Sequence, residues 1–293
     1  PYGDLLPGMA YLIRRLLENT ANSSFLRQNL EDRPIEELLA PPEVNDWQEE
    51  TNLSAKRVFP NAADTDYADE EKRARSQQAI HAIRQQLGKT YWPIVNGESL
   101  PTPETVDSLN PSNFSEVVGK IGLLSIEQAE QALQAAKAAF PSWQRTPAKQ
   151  RAAILRKAAD LMEKRRHELS AWMVLEVGKP VRECDGEVSE AIDFCRYYAD
   201  EMERLEGGYS YDLAGETNRY HYQPRGISLI ISPWNFPLAI PCGMTVASLV
   251  AGNCTLLKPA EVSSVIAAKL AEILIEAGIP RGVFQYVPCK GST

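Results

Sequence analysis

The chain has 293 residues, of which 44 % are hydrophobic and 24 % charged, as is typical of soluble globular proteins. A formal net charge of −8 argues against a nucleic-acid partner, and no apolar run reaches the ~18 residues of a membrane span. The cysteines are odd in number and irregularly spaced and the histidines are scattered, which disfavours disulfides and a metal site and indicates a reducing compartment, the cytoplasm.

Two segments precede the main unit in the predicted organisation. An apolar stripe from Pro7 to about Asn22 predicts a helix, with proline in its first turn, within a first unit of residues 1–30. Residues 31–90 are broken by prolines and rich in acidic residues. We interpret them as a linker with short helices, one of them from Asp69 to Leu87.

The larger unit, residues 91–293, begins with a short strand and a turn at Asn96–Gly97. Helical segments are predicted to follow. Ser125 and Gln128 form a capping-box signature, and Thr146 with Pro147 is predicted to cap a second helix. Four helices are predicted. The first runs from 126 to 139, the second from 147 to about 166, and the fourth from 186 to about 205. The third ends near 178. Tyrosine-rich strands are predicted at 209–211 and 218–222.

The last part alternates strands and helices. Three apolar strands, with the sequences GISLIIS, CTLLK and GVFQYV, are separated by helices predicted at 238–250 and 262–277. This βαβαβ order predicts an α/β fold with a parallel sheet covered on both faces. Such sheets bind nucleotides at the carboxyl ends of their strands, although the Gly-x-Gly-x-x-Gly fingerprint is absent here.

Two short polar segments follow the first two of these strands. Ser232–Pro237 reads SPWNFP, where two prolines fix a turn that could aim the Asn235 amide as an oxyanion donor. The alternative is a turn asparagine bonded to the local backbone. Lys258–Glu261 reads KPAE, and its lysine and carboxylate could bind ribose hydroxyls. The alternative is an ordinary helix start, with Glu261 complementing the helix dipole.

Together these motifs closely resemble the aldehyde dehydrogenase superfamily, over residues from about 94 to 287. The resemblance implies an incomplete Rossmann-like NAD-binding domain in which Asn235 stabilises the oxyanion and Phe236 faces the aldehyde tunnel. The implied cofactor-binding residues are Ser232, Pro233, Trp234, Lys258 and Glu261. Because the Glu261 carboxylate would repel a 2′-phosphate, NAD is expected rather than NADP.

The resemblance also implies what the chain lacks. In this superfamily the nucleophilic cysteine and the general-base glutamate lie well downstream of the lysine motif. The corresponding positions would come after Thr293. We therefore expect a truncated domain that does not oxidise aldehydes alone. Cys289 follows the third strand and is not assigned as the nucleophile, and Cys242 and Cys254 are expected in the core.

Four polar residues of the first helix, Tyr11, Arg14, Arg15 and Glu18, share one face. Paired arginines can clamp a carboxylate, but a solvated face with an Arg14–Glu18 ion pair has the same spacing. The segment YLIRRLLENTANSSFLR resembles the last barrel helix of proline dehydrogenases. That resemblance implies that both arginines contact the proline carboxylate, that Tyr11 packs over proline and flavin, and that Glu18 supports the arginines. No flavin is expected on this chain itself.

A proline dehydrogenase end, a linker and an aldehyde dehydrogenase beginning follow the order found in the proline utilization A family. That order implies oxidation of proline to 1-pyrroline-5-carboxylate with FAD, and of glutamate semialdehyde to glutamate with NAD. Two alternatives stay open, namely a non-catalytic NAD-binding or assembly module and an aldehyde dehydrogenase for another substrate. A homo-oligomer, through the tyrosine-rich strands, and peripheral membrane association of the longer protein are further expectations.

Overall fold

A computed structural model describes residues 59–293, and the structural statements below concern these residues. The four polar residues of the predicted first helix, Tyr11, Arg14, Arg15 and Glu18, lie outside the described residues. The first described helix, α1, spans Glu70–Arg84. Its N-cap is Asp69, whose carboxylate accepts hydrogen bonds from the backbone amides of Glu71 and Lys72. The predicted helix start is therefore confirmed to within one residue.

A three-stranded sheet follows, in the spatial order β1 (Lys89–Tyr91), β5 (Asn113–Leu123) and β4 (Glu104–Asn110). The sequence analysis predicted no strand between the turn at Asn96–Gly97 and the first helix, but β4 and β5 form an antiparallel hairpin there. Most side chains of β4 are exposed, and its sequence is largely polar. It therefore lacks the apolar alternation that identifies a half-buried strand. The turn is held by Asn110, whose side-chain oxygen accepts the Ser112 amide at 2.9 Å.

The second sheet has five strands. In spatial order they are β3 (Glu98–Ser99), β2 (Ile94–Val95), β10 (Phe284–Tyr286), β9 (Cys254–Lys258) and β8 (Ile227–Ile231). The last three are parallel, as predicted, and β2 extends them antiparallel to β10. Cover on both faces holds for β9 and β10 but not for β8, an edge strand on which Leu229 and Ile231 are exposed. The turn at Asn96–Gly97 has positive φ at both residues, which favours the observed two-residue hairpin between β2 and β3.

Six long helices pack around these sheets: α2 (Ile126–Trp143), α3 (Ala148–Lys164), α4 (Arg166–Val177), α5 (Val181–Leu205), α6 (Ala239–Val250) and α7 (Ser264–Ala277). The capping box of Ser125 and Gln128 is present, but α2 continues four residues beyond its predicted end. Thr146 does not cap α3, because its hydroxyl donates to the Ser142 carbonyl at 3.3 Å. The α5 helix begins five residues before Gly186, at a proline N-cap.

The tyrosine-rich segment forms a short hairpin of β6 (Tyr209–Ser210) and β7 (Arg219–Tyr220). The predicted strands are therefore present but shorter than expected. The rings of Tyr209, Tyr220 and Tyr222 contact one another in tilted and edge-to-face arrangements and remain exposed. Among residues 59–293, no helix is both long and apolar enough to cross a bilayer.

Candidate active site

The register of the parallel strands brings the two polar segments to one edge of the sheet. Ile231, the last residue of β8, pairs with Lys258, the last residue of β9. The Ser232 amide donates to the Lys258 carbonyl at 3.3 Å, which continues the ladder by one bond. Both segments therefore leave the sheet together at the carboxyl ends of their strands, where doubly wound sheets place their ligand sites.

Trp234 lies at the boundary of two cavities on this edge. One, of about 330 Å³, is also lined by Asn235 and Phe236. The other, of about 670 Å³, is also lined by Glu261 and by residues of the β4–β5 hairpin. The Trp234 side chain is 59 % exposed, so its indole is accessible from these cavities. Asn235 and Phe236, which are assigned to the aldehyde, thus line a cavity next to that of Glu261, which is assigned to the ribose.

The Asn235 side chain is exposed and makes no hydrogen bond to any other residue of the part described. A turn asparagine that stabilises its own backbone would use its amide locally, and this one does not. Its side-chain amide is therefore free to donate to a ligand in the smaller cavity.

The loop that carries Asn235 is held by two residues that the sequence analysis missed, Lys179 and Glu187. The Lys179 ammonium contacts the Glu187 carboxylate at 2.6 Å and donates to the Asn235 backbone carbonyl at 3.3 Å. Glu187 in turn accepts the amides of Leu238 and Ala239 at 2.7 and 3.0 Å. The local pattern contained no signal for these contacts, since Glu187 lies 51 positions before Leu238 in the chain.

The predicted ribose-binding residues lie at the end of β9 and in the segment after it. The Lys258 ammonium donates to the Pro259 carbonyl at 3.2 Å. Glu261 is exposed and begins the 3₁₀ turn Glu261–Ser263. Its alternative role as a dipole-complementing first-turn residue applies to that short turn, whereas the N-terminus of α7 receives a different carboxylate, that of Glu176.

Cys289 lies half-buried beside this segment. Burial raises the pKa of its thiol, with a smaller opposing contribution from Lys258 and a further raising contribution from Glu261. Because the thiolate is the nucleophilic form, a raised pKa makes Cys289 a poor nucleophile at neutral pH. Cys242 and Cys254 are buried, as predicted for core residues.

The residues at this edge fit an adenosine ribose by their chemistry. The Ser232 hydroxyl is buried and has no hydrogen-bond partner within residues 59–293, so a polar group arriving at the strand end would satisfy it. The Lys258 ammonium and the Glu261 carboxylate supply a donor and an acceptor of the kind that binds a diol. The predicted cofactor-binding residues therefore include matched donors and acceptors for a nucleotide.

Comparison with known proteins identifies the family of this fold. Residues 99–293 match the aldehyde dehydrogenase family, and residues 1–28 match proline dehydrogenase. The chain belongs to the aldehyde dehydrogenase family. The resemblance drawn from the two motifs is thereby confirmed, and the α/β architecture with a partial NAD-binding sheet is that of an aldehyde dehydrogenase.

Curated relatives of this aldehyde dehydrogenase chain include two 1-pyrroline-5-carboxylate dehydrogenases. The protein from Geobacillus sp. (strain WCH70) is 46 % identical over 229 residues, and that from Bacillus subtilis (strain 168) is 43 % identical over 229 residues. Each alignment covers 78 % of this chain and 44 % of the relative. The chain thus spans less than half the length of these relatives.

Two solved structures are also similar. Proline utilization A from Bdellovibrio bacteriovorus, inactivated by N-propargylglycine, has a TM-score of 0.78 and 42 % identity, over 99 % of this chain and 31 % of that protein. A 1-pyrroline-5-carboxylate dehydrogenase from Thermus with bound NAD has a TM-score of 0.78 and 40 % identity, over 81 % of this chain and 46 % of that protein. The relationship to proline-catabolic aldehyde dehydrogenases therefore appears in sequence and in fold.

Proposed function

We propose that this chain provides the oxyanion donor and the ribose-binding end of an NAD-dependent L-glutamate γ-semialdehyde dehydrogenase. The observation that best supports this is the position of Trp234, which borders the cavity of Asn235 on one side and that of Glu261 on the other. Hydride transfer requires the dinucleotide to extend from its ribose site to the aldehyde, and Trp234 lies between the two proposed sites. The names of the curated relatives support the choice of aldehyde.

In the proposed reaction Asn235 acts on the aldehyde oxygen. A cysteine thiolate from outside this chain attacks the carbonyl carbon, and the oxygen gains negative charge. The unpaired Asn235 amide donates to that oxygen, and such an interaction is stronger in the transition state than in the ground state. NAD, when bound, supplies the hydride acceptor. Lys258 and Glu261 would hold its adenosine ribose and Ser232 would contact the cofactor, while Pro233 and Trp234 would line the cofactor cleft and Phe236 would face the aldehyde.

The preceding residues provide the proline side of the proposal. We propose units of 1–30, 31–90 and 91–293, in which Arg14 and Arg15 bind the proline carboxylate with support from Tyr11 and Glu18. The match of residues 1–28 to proline dehydrogenase supports this assignment. FAD would then be the oxidant for proline elsewhere in the longer protein. A cytoplasmic homo-oligomer that associates peripherally with a membrane is the matching cellular arrangement.

The experiment that tests both halves follows NADH absorbance in the full-length protein, supplied with proline, NAD and an electron acceptor for the flavin. NADH formation that depends on both substrates supports the coupled function. NADH from added glutamate semialdehyde but not from proline would overturn the role of the first unit. NADH from neither substrate would leave a nucleotide-binding module without catalysis.

For the 293-residue chain on its own, we propose NAD binding without turnover. Four of its five cysteines are buried, and the pKa of the fifth, Cys289, is raised by burial, so no cysteine offers an accessible thiolate at neutral pH. Titration with NAD, followed by tryptophan fluorescence, should saturate, whereas added semialdehyde should give no NADH. Turnover by the isolated chain would show that one of these cysteines is the nucleophile.

A further inference from the structure

The Lys179 ammonium contacts the loop that carries Asn235 and also the Glu187 carboxylate, which holds the end of that loop. Its Nζ lies 2.6 Å from the Glu187 carboxylate, 3.3 Å from the Asn235 backbone oxygen and 3.9 Å from the centre of the Phe236 ring. An ammonium has three N–H donors, and these three contacts account for them. The cation therefore fixes the backbone at Asn235 and the ring that follows it.

Glu187 closes the same loop from its other end. One carboxylate oxygen accepts the Lys179 ammonium, and the other accepts the amides of Leu238 and Ala239. These amides belong to the start of α6, where backbone donors have no partner within the helix. Lys179, just before α5, therefore holds the beginning of the 235–239 segment, and Glu187, on α5, holds its end. The two side chains form one ion pair.

This ion pair is largely buried. The Lys179 side chain is 10 % exposed and that of Glu187 is 0 % exposed. A buried pair is costly to form and is weak evidence for stability, but the loss of one partner leaves an unpaired charge. The remaining hydrogen bonds of this pair all go to the 235–239 segment. Its main effect is therefore on the geometry of that segment.

We infer that Lys179 and Glu187 are positioning residues that hold the Asn235 amide in its productive direction, acting through the backbone of the 235–239 segment. The inference rests on the proposed function of Asn235 and extends it to a second set of residues. Lys179 lines the smaller cavity beside Asn235, but its ammonium is engaged by Glu187, by the Asn235 carbonyl and by the Phe236 ring. Glu187 does not line that cavity. In this arrangement both residues act through the backbone at Asn235 and not on the reacting atoms. Their effect should therefore appear in kcat and should depend on the presence of the Asn235 side chain.

A double-mutant cycle in the full-length protein tests this dependence, with NADH formation from glutamate semialdehyde as the readout. Lys179→Met should lower kcat by about ten- to a hundred-fold, as expected from a small displacement of a catalytic group, and should leave the KM for NAD within about two-fold. In the Asn235→Ala background, Lys179→Met should cause no further loss beyond about two-fold, because no amide remains to be positioned. Lys179→Arg, which keeps the charge, should restore part of the kcat.

The chain offers a matched control in the ion pair of Arg166 and Asp185. It is equally buried, with side chains 11 % and 1 % exposed, and also connects to α5, but it does not contact the 235–239 segment. Arg166→Met should lower the melting temperature while kcat stays within about two-fold of the parent. If Lys179→Met does not fold, Lys179→Met combined with Glu187→Gln removes both charges and should show the same loss of kcat.

The outcomes separate the inference from the proposed function. An unchanged kcat in Lys179→Met, or an equal fold-loss with and without the Asn235 side chain, overturns the positioning role alone. Full activity of Asn235→Ala overturns the role of Asn235 and the inference with it. A loss of kcat in Arg166→Met as large as that in Lys179→Met would show that any buried ion pair near α5 has this effect, and would also overturn the inference.

Discussion

The Glu176 carboxylate accepts the Val265 backbone amide at 2.7 Å, so a side chain near the end of α4 caps the start of α7. The same carboxylate accepts the Ile266 amide at 2.8 Å and the Ser108 hydroxyl at 2.9 Å. Glu187 has the corresponding role at α6. The first backbone amides of α6 and α7, the helices that follow β8 and β9, therefore donate to a buried carboxylate from another helix. These contacts fix the polar segments between each strand and its helix.

Glu176 should give the chain a specific pH dependence of stability. Burial raises its pKa from 4.5 to about 7, against the lowering effect of its three hydrogen bonds. The unfolded chain releases this proton at a lower pH than the folded chain. The contribution to the free energy of unfolding is therefore fully present below about pH 4.5 and is lost as the pH rises to about 7, by about 3 kcal/mol. Glu176→Gln has no proton to release and should lack this part of the decline.

The measurement is urea unfolding of the parent and Glu176→Gln at several values between about pH 4.5 and about pH 8. The difference between the two stabilities should change across this range. Glu130→Gln, an exposed substitution on α2, is the control and should run parallel to the parent. Parallel curves for the parent and Glu176→Gln would mean that Glu176 has the same pKa in the folded and unfolded chain.

The features that could be predicted from the sequence are those set by neighbouring residues. The strands β8, β9 and β10, the capping box at Ser125 and the placement of Asn235 and Glu261 at strand ends all depend on local pattern. The caps of α6 and α7 could not be predicted in this way, because Glu176 lies 89 positions from Val265 and each residue alone is an unremarkable helix residue. The β4–β5 hairpin was missed because its exposed strand has no apolar alternation.

Asn235→Ala should lower kcat for semialdehyde oxidation in the full-length protein by about a hundred- to a thousand-fold, since other oxyanion donors contribute about 2.7–4 kcal/mol to the barrier. The side chain makes no hydrogen bond to the rest of the described chain, so its removal should leave the melting temperature nearly unchanged. Asn113→Ala, at an exposed position on β5 where the side chain accepts the Ser115 amide at 3.2 Å, is the control for turnover. Unchanged turnover in Asn235→Ala would remove this residue from the reaction.

Glu261→Gln should weaken the discrimination against NADP. The Glu261 carboxylate is exposed, so its repulsion of a 2′-phosphate is a screened interaction in water. The ratio of the Kd for NADP to the Kd for NAD should fall by about five-fold at low salt and by less at high salt. Isothermal titration with both dinucleotides measures this ratio. A ratio that does not change at low salt would place the 2′ position away from Glu261.

Cys289 should report on occupation of the ribose side. It is partly exposed, whereas the other four cysteines are buried, so a thiol-specific reagent should modify one cysteine per chain before unfolding exposes the rest. Because its pKa is raised by burial, the rate should still be increasing at pH values above 8.5, where an ordinary thiol begins to level off. The Val287 amide donates to the Leu257 carbonyl at 2.9 Å, which brings the segment of Cys289 alongside that of Lys258, so bound NAD should slow the modification. Cys289→Ser should abolish the fast reaction, and a modification rate indifferent to saturating NAD would argue that the ribose binds elsewhere.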